Sequence, residues 1–177
     1  RDRFNIAVLI SGNGSNLQSL IDEFESSQLV NISCVISNKQ EAYGLERASI
    51  ANINSHFIDH EEYNSREAFD EAMITQLDHY KPDLIVLAGF MRILSDTFVD
   101  KYMGRLINIH PSLLPKYKGL DTHKRVIDAQ EEYHGATVHY VDNTLDGGPI
   151  CAQSSIKVKT NNPKELQKDI HKLEHEL

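Results

Sequence analysis

Apolar residues along this chain fall alternately into short continuous runs and one-sided stripes, the pattern of strands alternating with helices. Phe4 to Ile10 is an apolar run that breaks at Ser11-Gly12-Asn13-Gly14-Ser15-Asn16. Leu17, Leu20, Ile21 and Phe24 then recur at helical spacing, so the segment reads as strand, glycine loop, helix. Ile32 to Ser37 predicts a second strand and Tyr43 to Ala51 a short helix. Arg66 to Tyr80 carries Phe69, Met73, Leu77 and Tyr80 on one side and stops before Pro82. Asp83 to Ala88 has the unbroken apolar character of strands buried in parallel sheets. Ser95 opens another helix, and Arg105 to His110 is the next strand. Thr122 to Gln130 follows as a helix, then strands at Ala136 to Val141 and Ile150 to Val158. The last helix has Asn162 as its cap, Pro163 in its first position and Glu165 three residues after the cap. Leu166, Ile170, Leu173 and Leu177 line one side of it. The alternation predicts right-handed crossovers and an α/β fold, a Rossmann-like α/β/α arrangement of three layers. Its central sheet is mostly parallel, with the later strands antiparallel at one edge.

The chain has 177 residues, 40% of them hydrophobic, enough for one globular domain over 1–177 with a substantial core. A net charge of -8 and the lack of a basic run argue against nucleic acid as a partner. No apolar run approaches the roughly 20 residues of a membrane span, and no signal-peptide pattern precedes the first strand. The expectation is therefore a cytoplasmic protein without a membrane partner. Cys34 and Cys151 lie in apolar, strand-like surroundings without metal-ligand spacing, which predicts buried, reduced thiols.

Three constellations carry candidate chemistry. Gly12 and Gly14 let the backbone approach a ligand closely, and the helix start behind them presents free N–H groups to an anion. A dinucleotide fingerprint would need a third glycine where Leu17 stands, and Gly-Lys-Ser/Thr is absent. The loop therefore suits a monophosphate, or serves only as a turn. Asn108 and His110 share one face of a strand that Pro111 ends. A carboxamide donor beside a protonated imidazole suits stabilisation of an oxyanion in acyl-type transfer, although an isolated histidine is more often structural. The other histidines, His56, His60, His79, His123, His134, His139, His171 and His175, have no comparable setting, and His139 reads as packed or solvated within a strand. Third, Asp146 stands in the turn-rich segment Asp142-Asn143-Thr144-Leu145-Asp146-Gly147-Gly148-Pro149. A carboxylate there could approach His110 and favour its charged form. No serine or cysteine nucleophile has an adjacent base and no metal-ligand spacing occurs, so direct transfer between two bound substrates is expected, with no metal.

Taken together, Ser-Gly-Asn-Gly-Ser-Asn at 11–16, Ser-Arg-Glu at 65–67, Ala-Gly-Phe-Met-Arg-Ile-Leu at 88–94, Asn-Ile-His-Pro-Ser-Leu-Leu-Pro at 108–115 and Leu-Asp-Gly-Gly-Pro at 145–149 closely resemble the phosphoribosylglycinamide formyltransferase family of purine biosynthesis, from Ile6 to about Glu174. The resemblance implies the formyltransferase fold and a formyl transfer from 10-formyltetrahydrofolate, as cosubstrate, to the amine of glycinamide ribonucleotide. It implies a catalytic trio of Asn108, His110 and Asp146. Gly14, Ser15 and Asn16 would hold the ribonucleotide phosphate, with His171, Lys172, Leu173 and Glu174 completing that substrate's site. Folate would be bound by Arg66, Met91, Arg92, Ile93, Leu94, Asn108, Asp142, Asn143, Thr144, Leu145 and Asp146. The partners implied are these small molecules, with the protein a monomer or weak homodimer. Lys118 and Asp121 depart from residues common in the family, which predicts a more mobile loop after Tyr117. Family members continue some tens of residues past the position of Leu177, so a C-terminal tail is expected to be missing or unresolved.

Two kinds of rival remain. A formyltetrahydrofolate hydrolase or a methionyl-tRNA formyltransferase shares the Asn-x-His and Asp pattern, but the first needs no phosphate loop and the second needs a basic surface. A non-catalytic nucleotide-binding domain would keep the loop but has no reason to unite Asn108, His110 and Asp146.

Overall fold

The structure is a computed structural model that describes residues 3–176, so the Leu177 assigned to the last helix lies outside the described residues. Two compact units divide at Leu106 and Ile107.

The first unit is built on parallel strands. β1 (Phe4–Ile10) lies between β2 (Val30–Ser37) and β4 (Leu84–Leu87), and β2 pairs in turn with β3 (Ser55–Phe57). Ala7 to Ile10 are fully buried, as expected where a strand is covered on both faces. The helices are α1 (Ser15–Phe24), α2 (Tyr43–Ile50), α3 (Arg66–Tyr80) and α4 (Asp96–Lys101). Leu17 and Ile21 of α1, and Phe69, Met73 and Leu77 of α3, are buried. Each such side chain contributes about 1.5–3 kcal/mol of apolar transfer. At the start of α4 the Ser95 hydroxyl accepts from Phe98 N–H at 3.3 Å, so Ser95 opens this helix as its cap. β3 and a 3₁₀ turn at His60–Glu62 carry no periodic signal in the sequence, because three residues cannot display one.

The second unit is antiparallel. β5 (Leu106–His110) pairs with β6 (Tyr133–Tyr140), which pairs with β7 (Ile150–Lys157). α5 (Thr122–Asp128) and α6 (Pro163–Glu176) complete it. Val126, Ala136, Leu166, Ile170 and Leu173 form its core, with Tyr117 packed against them. Asn162 caps α6, its side chain accepting from Lys164 N–H at 2.9 Å. Glu165 does not close the box directly. Its carboxylate accepts from the Thr160 hydroxyl, which itself accepts from Asn162 N–H.

Of the two cysteines, Cys34 is buried, and burial pushes its thiol up to about 12. Cys151 corrects the expectation: it is a free, exposed thiol, because outward positions of β7 are not covered.

Candidate active site

β5 ends at His110, as Pro111 dictates, and it faces β6 in a register that sets Asn108 opposite His139 and His110 opposite Thr137. Directly opposed residues share a sheet face, so four polar side chains converge there. His110 is only 5% exposed, and its Nε2 lies 2.9 Å from the Tyr117 carbonyl oxygen. A carbonyl only accepts, so Nε2 carries the hydrogen and Nδ1 is the nitrogen on the Asp146 side. Nδ1 stands 3.6 Å from Asp146 Oδ2, close enough for charge attraction but too far for a direct hydrogen bond. Asp146 therefore approaches His110, as the sequence suggests. The same carboxylate oxygen accepts from Gly119 N–H at 2.8 Å, and Oδ1 lies 3.8 Å from His139 Nε2.

His139 is packed within β6, one of the two readings the sequence left open, but it also reaches the site. It is 2% exposed, with Nε2 at 3.4 Å from Asn108 Nδ2 and Nδ1 at 2.9 Å from the Tyr140 carbonyl. Tyr117 is equally absent from the sequence reading, yet its backbone orients His110. Its ring packs on the core and beneath the Arg125 guanidinium, and its hydroxyl donates to Glu131 at 2.9 Å. Thr137 ties down the intervening loop: its hydroxyl donates to Ser112 O at 2.7 Å and accepts from Leu114 N–H at 3.2 Å. After Tyr117, the loop that carries Lys118 and Asp121 is held by Arg125, which donates to the carbonyls of Lys118 and Leu120.

The segment 142–146 is polar and mostly exposed. Asp142 accepts from both the N–H and the hydroxyl of Thr144, and these bonds hold its carboxyl below the usual range. Asn143, Thr144 and Leu145 are exposed, Leu145 by 63%. On α6, His171 is half-buried and Lys172 exposed, while Leu173 and Glu174 are buried, so the Leu173 side chain serves the core.

His123 and His134 also form a pair the sequence did not reveal, with His123 Nδ1 at 3.0 Å from His134 Nε2. Burial first, then neighbouring imidazoles, push both down to about 4. Folded protein thus keeps both rings neutral while the unfolded chain protonates them below its ordinary 6.5. Stability is undiminished above pH 6.5 and is lost as pH falls toward 4. Denaturant titrations across that range should show wild type losing about 3 kcal/mol more than a His123→Gln/His134→Gln double variant. Parallel pH curves would refute the assignment.

In the first unit, Gly14 adopts φ 79° and begins α1 without a side-chain cap. A Cβ on it would stand 2.7 Å from Gly44 Cα, so loop and α2 backbone meet where only glycine fits. Arg47 of α2 grips the loop through Asn13, Nε to its carbonyl at 2.8 Å and Nη2 to its side chain at 2.7 Å. Ser15 and Asn16 follow at the helix start, half-buried. Ser11 joins this loop to a second segment, donating to Asn38 Oδ1 at 2.6 Å and accepting from Met91 N–H at 2.8 Å. Ser95 N–H, at the other end, donates to buried Asp70 at 2.6 Å. Burial pushes the Asp70 carboxyl up. Between these two anchors Leu94 is buried, while Met91 and Ile93 are 61% and 65% exposed. They form an apolar rim rather than core. Arg92 lies 5.9 Å from the Phe69 ring of α3, the helix whose first residue is Arg66, an exposed cation.

A strand-end Asn and His beside an aspartate suit acyl-type transfer, and the comparisons with known proteins identify the family. The chain belongs to the formyl transferase family, which it matches over residues 4–177. It is 52% identical to the phosphoribosylglycinamide formyltransferase of Escherichia coli (strain K12), over 87% of this chain and 73% of that protein. It is 47% identical to the trifunctional purine biosynthetic protein adenosine-3 of Bos taurus, over 97% of this chain but 17% of that one. The solved phosphoribosylglycinamide formyltransferase of Coxiella burnetii, in complex with CHES, superposes with a TM-score of 0.92 at 50% identity, covering 98% of this chain and 82% of that one. That likeness carries the Rossmann-like α/β formyltransferase fold. Among the described residues no group of three or more His, Cys, Asp or Glu is arranged to hold a metal ion, and no helix is long and apolar enough to cross a membrane.

Proposed function

We propose that the chain transfers the formyl group of 10-formyltetrahydrofolate to the amine of glycinamide ribonucleotide, giving formylglycinamide ribonucleotide. The observation that carries this reading is the convergence of Asn108, His110 and Asp146, with His110 Nδ1 beside a carboxylate oxygen at 3.6 Å. Attack of the amine on the formyl carbon makes a tetrahedral oxyanion. Asn108 N–H and protonated Nδ1 of His110 donate to it, and Asp146 stabilises the ring's positive charge as it forms. As the intermediate collapses, the attacking nitrogen gives up a proton and the folate nitrogen takes one, with His110 and Asp146 carrying the exchange. No covalent enzyme intermediate is formed.

The ribonucleotide phosphate is assigned to the backbone at Gly14, Ser15 and Asn16, where the start of α1 supplies N–H groups and a positive dipole end. His171, Lys172 and Glu174 are assigned to the same substrate. The reduced folate is assigned to the anchored segment Met91, Arg92, Ile93 and Leu94, to Asp142 through Asp146, and to Arg66 as partner for its carboxylates. The protein would act as a monomer or weak homodimer in the cytoplasm. Incubation with both substrates tests the proposal: formylated ribonucleotide and tetrahydrofolate should appear in equal amounts. Release of formate independent of ribonucleotide would overturn it in favour of a hydrolase.

A further inference from the structure

We infer that His139 is a positioning residue for this transfer: it holds the Asn108 carboxamide with its NH2 turned so that one N–H is left for the oxyanion. The inference rests on the function proposed above. His139 stands directly across the β5–β6 ladder from Asn108, with Nε2 3.4 Å from Asn108 Nδ2. Its Nδ1 lies 2.9 Å from the Tyr140 carbonyl, which can only accept, so Nδ1 bears the hydrogen. In the neutral ring Nε2 then offers a lone pair. A lone pair accepts one hydrogen of the carboxamide NH2 and repels the carboxamide oxygen.

That choice matters because an asparagine side chain is nearly symmetric in shape. Turned over, Asn108 would present Oδ1 to a developing negative charge and change from donor to repulsive acceptor. His139 is 2% exposed, so water cannot take over the task. The 3.8 Å approach of Asp146 Oδ1 to the same Nε2 places His139 against two members of the trio.

Two substitutions separate orientation from bulk. His139→Asn keeps a donor near the Tyr140 carbonyl and deletes the acceptor at Nε2; His139→Gln places a carbonyl oxygen near Nε2. His139→Asn should lower kcat roughly 10- to 100-fold with both KM values little changed, and His139→Gln should recover most of it. In an Asn108→Ala background His139→Asn should have little further effect, since the group it orients is gone. Equal activity of wild type and His139→Asn, no advantage of Gln over Asn, or multiplying effects in the double variant would each overturn the role of His139. Nitrogen NMR of wild type adds a readout that needs no variant to fold: a neutral ring with hydrogen on Nδ1 supports the role, and the opposite tautomer overturns it. A wild type that forms no formylated ribonucleotide would overturn the functional reading itself, whereas an active wild type beside an equally active His139→Asn overturns this inference alone.

Discussion

His110→Ala lowers kcat by about 100- to 10,000-fold while ribonucleotide binding stays nearly unchanged. Two losses combine. Nδ1 disappears as the proposed oxyanion donor, typically worth about 100- to 1000-fold, and the proton carrier goes with it. The rest of the scaffold has its own supports. Thr137 and Gly119 keep their bonds to the Ser112 carbonyl and to Asp146, and the glycine loop proposed for the phosphate is braced by Arg47. The companion variant Asp146→Asn isolates charge from shape, because its side-chain oxygen can still accept from Gly119 N–H while the negative charge 3.6 Å from Nδ1 is lost. It should also lose about 100-fold in kcat. Steady-state kinetics with calorimetric titration of the ribonucleotide checks both. Near-normal turnover by either folded variant would remove the residue it replaces from the chemistry.

What the chain discloses by itself depends on the range over which a signal acts. Apolar runs and stripes are local, so β1, α3, β4 and α6 are legible, as are caps such as Ser95 and Asn162. Asn108 and His110 are legible as a pair because strand alternation over three residues sets their face. His139 is not, since its place opposite Asn108 follows from an antiparallel register that no local pattern encodes. Tyr117 escapes for a different reason: it acts through its carbonyl oxygen, which every residue has. The His123–His134 contact joins α5 to β6 and is likewise tertiary. Met91 and Ile93, given to folate by the resemblance, are exposed on a segment anchored at Ser11 and Asp70, an exposure that their apolar character does not announce. Exposure at those positions is set by what the backbone is tied to rather than by residue type.

That dependence on backbone placement makes Gly148→Ala the most damaging single methyl in the second unit's site loop. Gly148 is buried, and a Cβ there would fall far inside contact distance of the Tyr140 carbonyl oxygen and 2.9 Å from its carbon. Both obstacles are backbone, and Tyr140 cannot retreat freely because its own N–H donates to Pro149 O at 2.8 Å. The loop must move instead. Asp146 sits two residues earlier at φ 48°, and its alignment with Gly119 N–H and His110 Nδ1 moves with it. Overpacking of this kind costs about 1–3 kcal/mol, and a displacement near 1 Å at a reacting group can cost about 100-fold in rate. Gly147→Ala provides the contrast, because its new methyl would meet a side chain rather than backbone, the exposed Thr144, which can yield by giving up its hydroxyl bond to Asp142. Gly148→Ala should therefore lower both Tm and kcat, with the rate loss resembling that of Asp146→Asn, while Gly147→Ala stays within a few-fold of wild type. Equal melting and turnover in the two glycine variants would show that the Tyr140 carbonyl does not hold Asp146 in place.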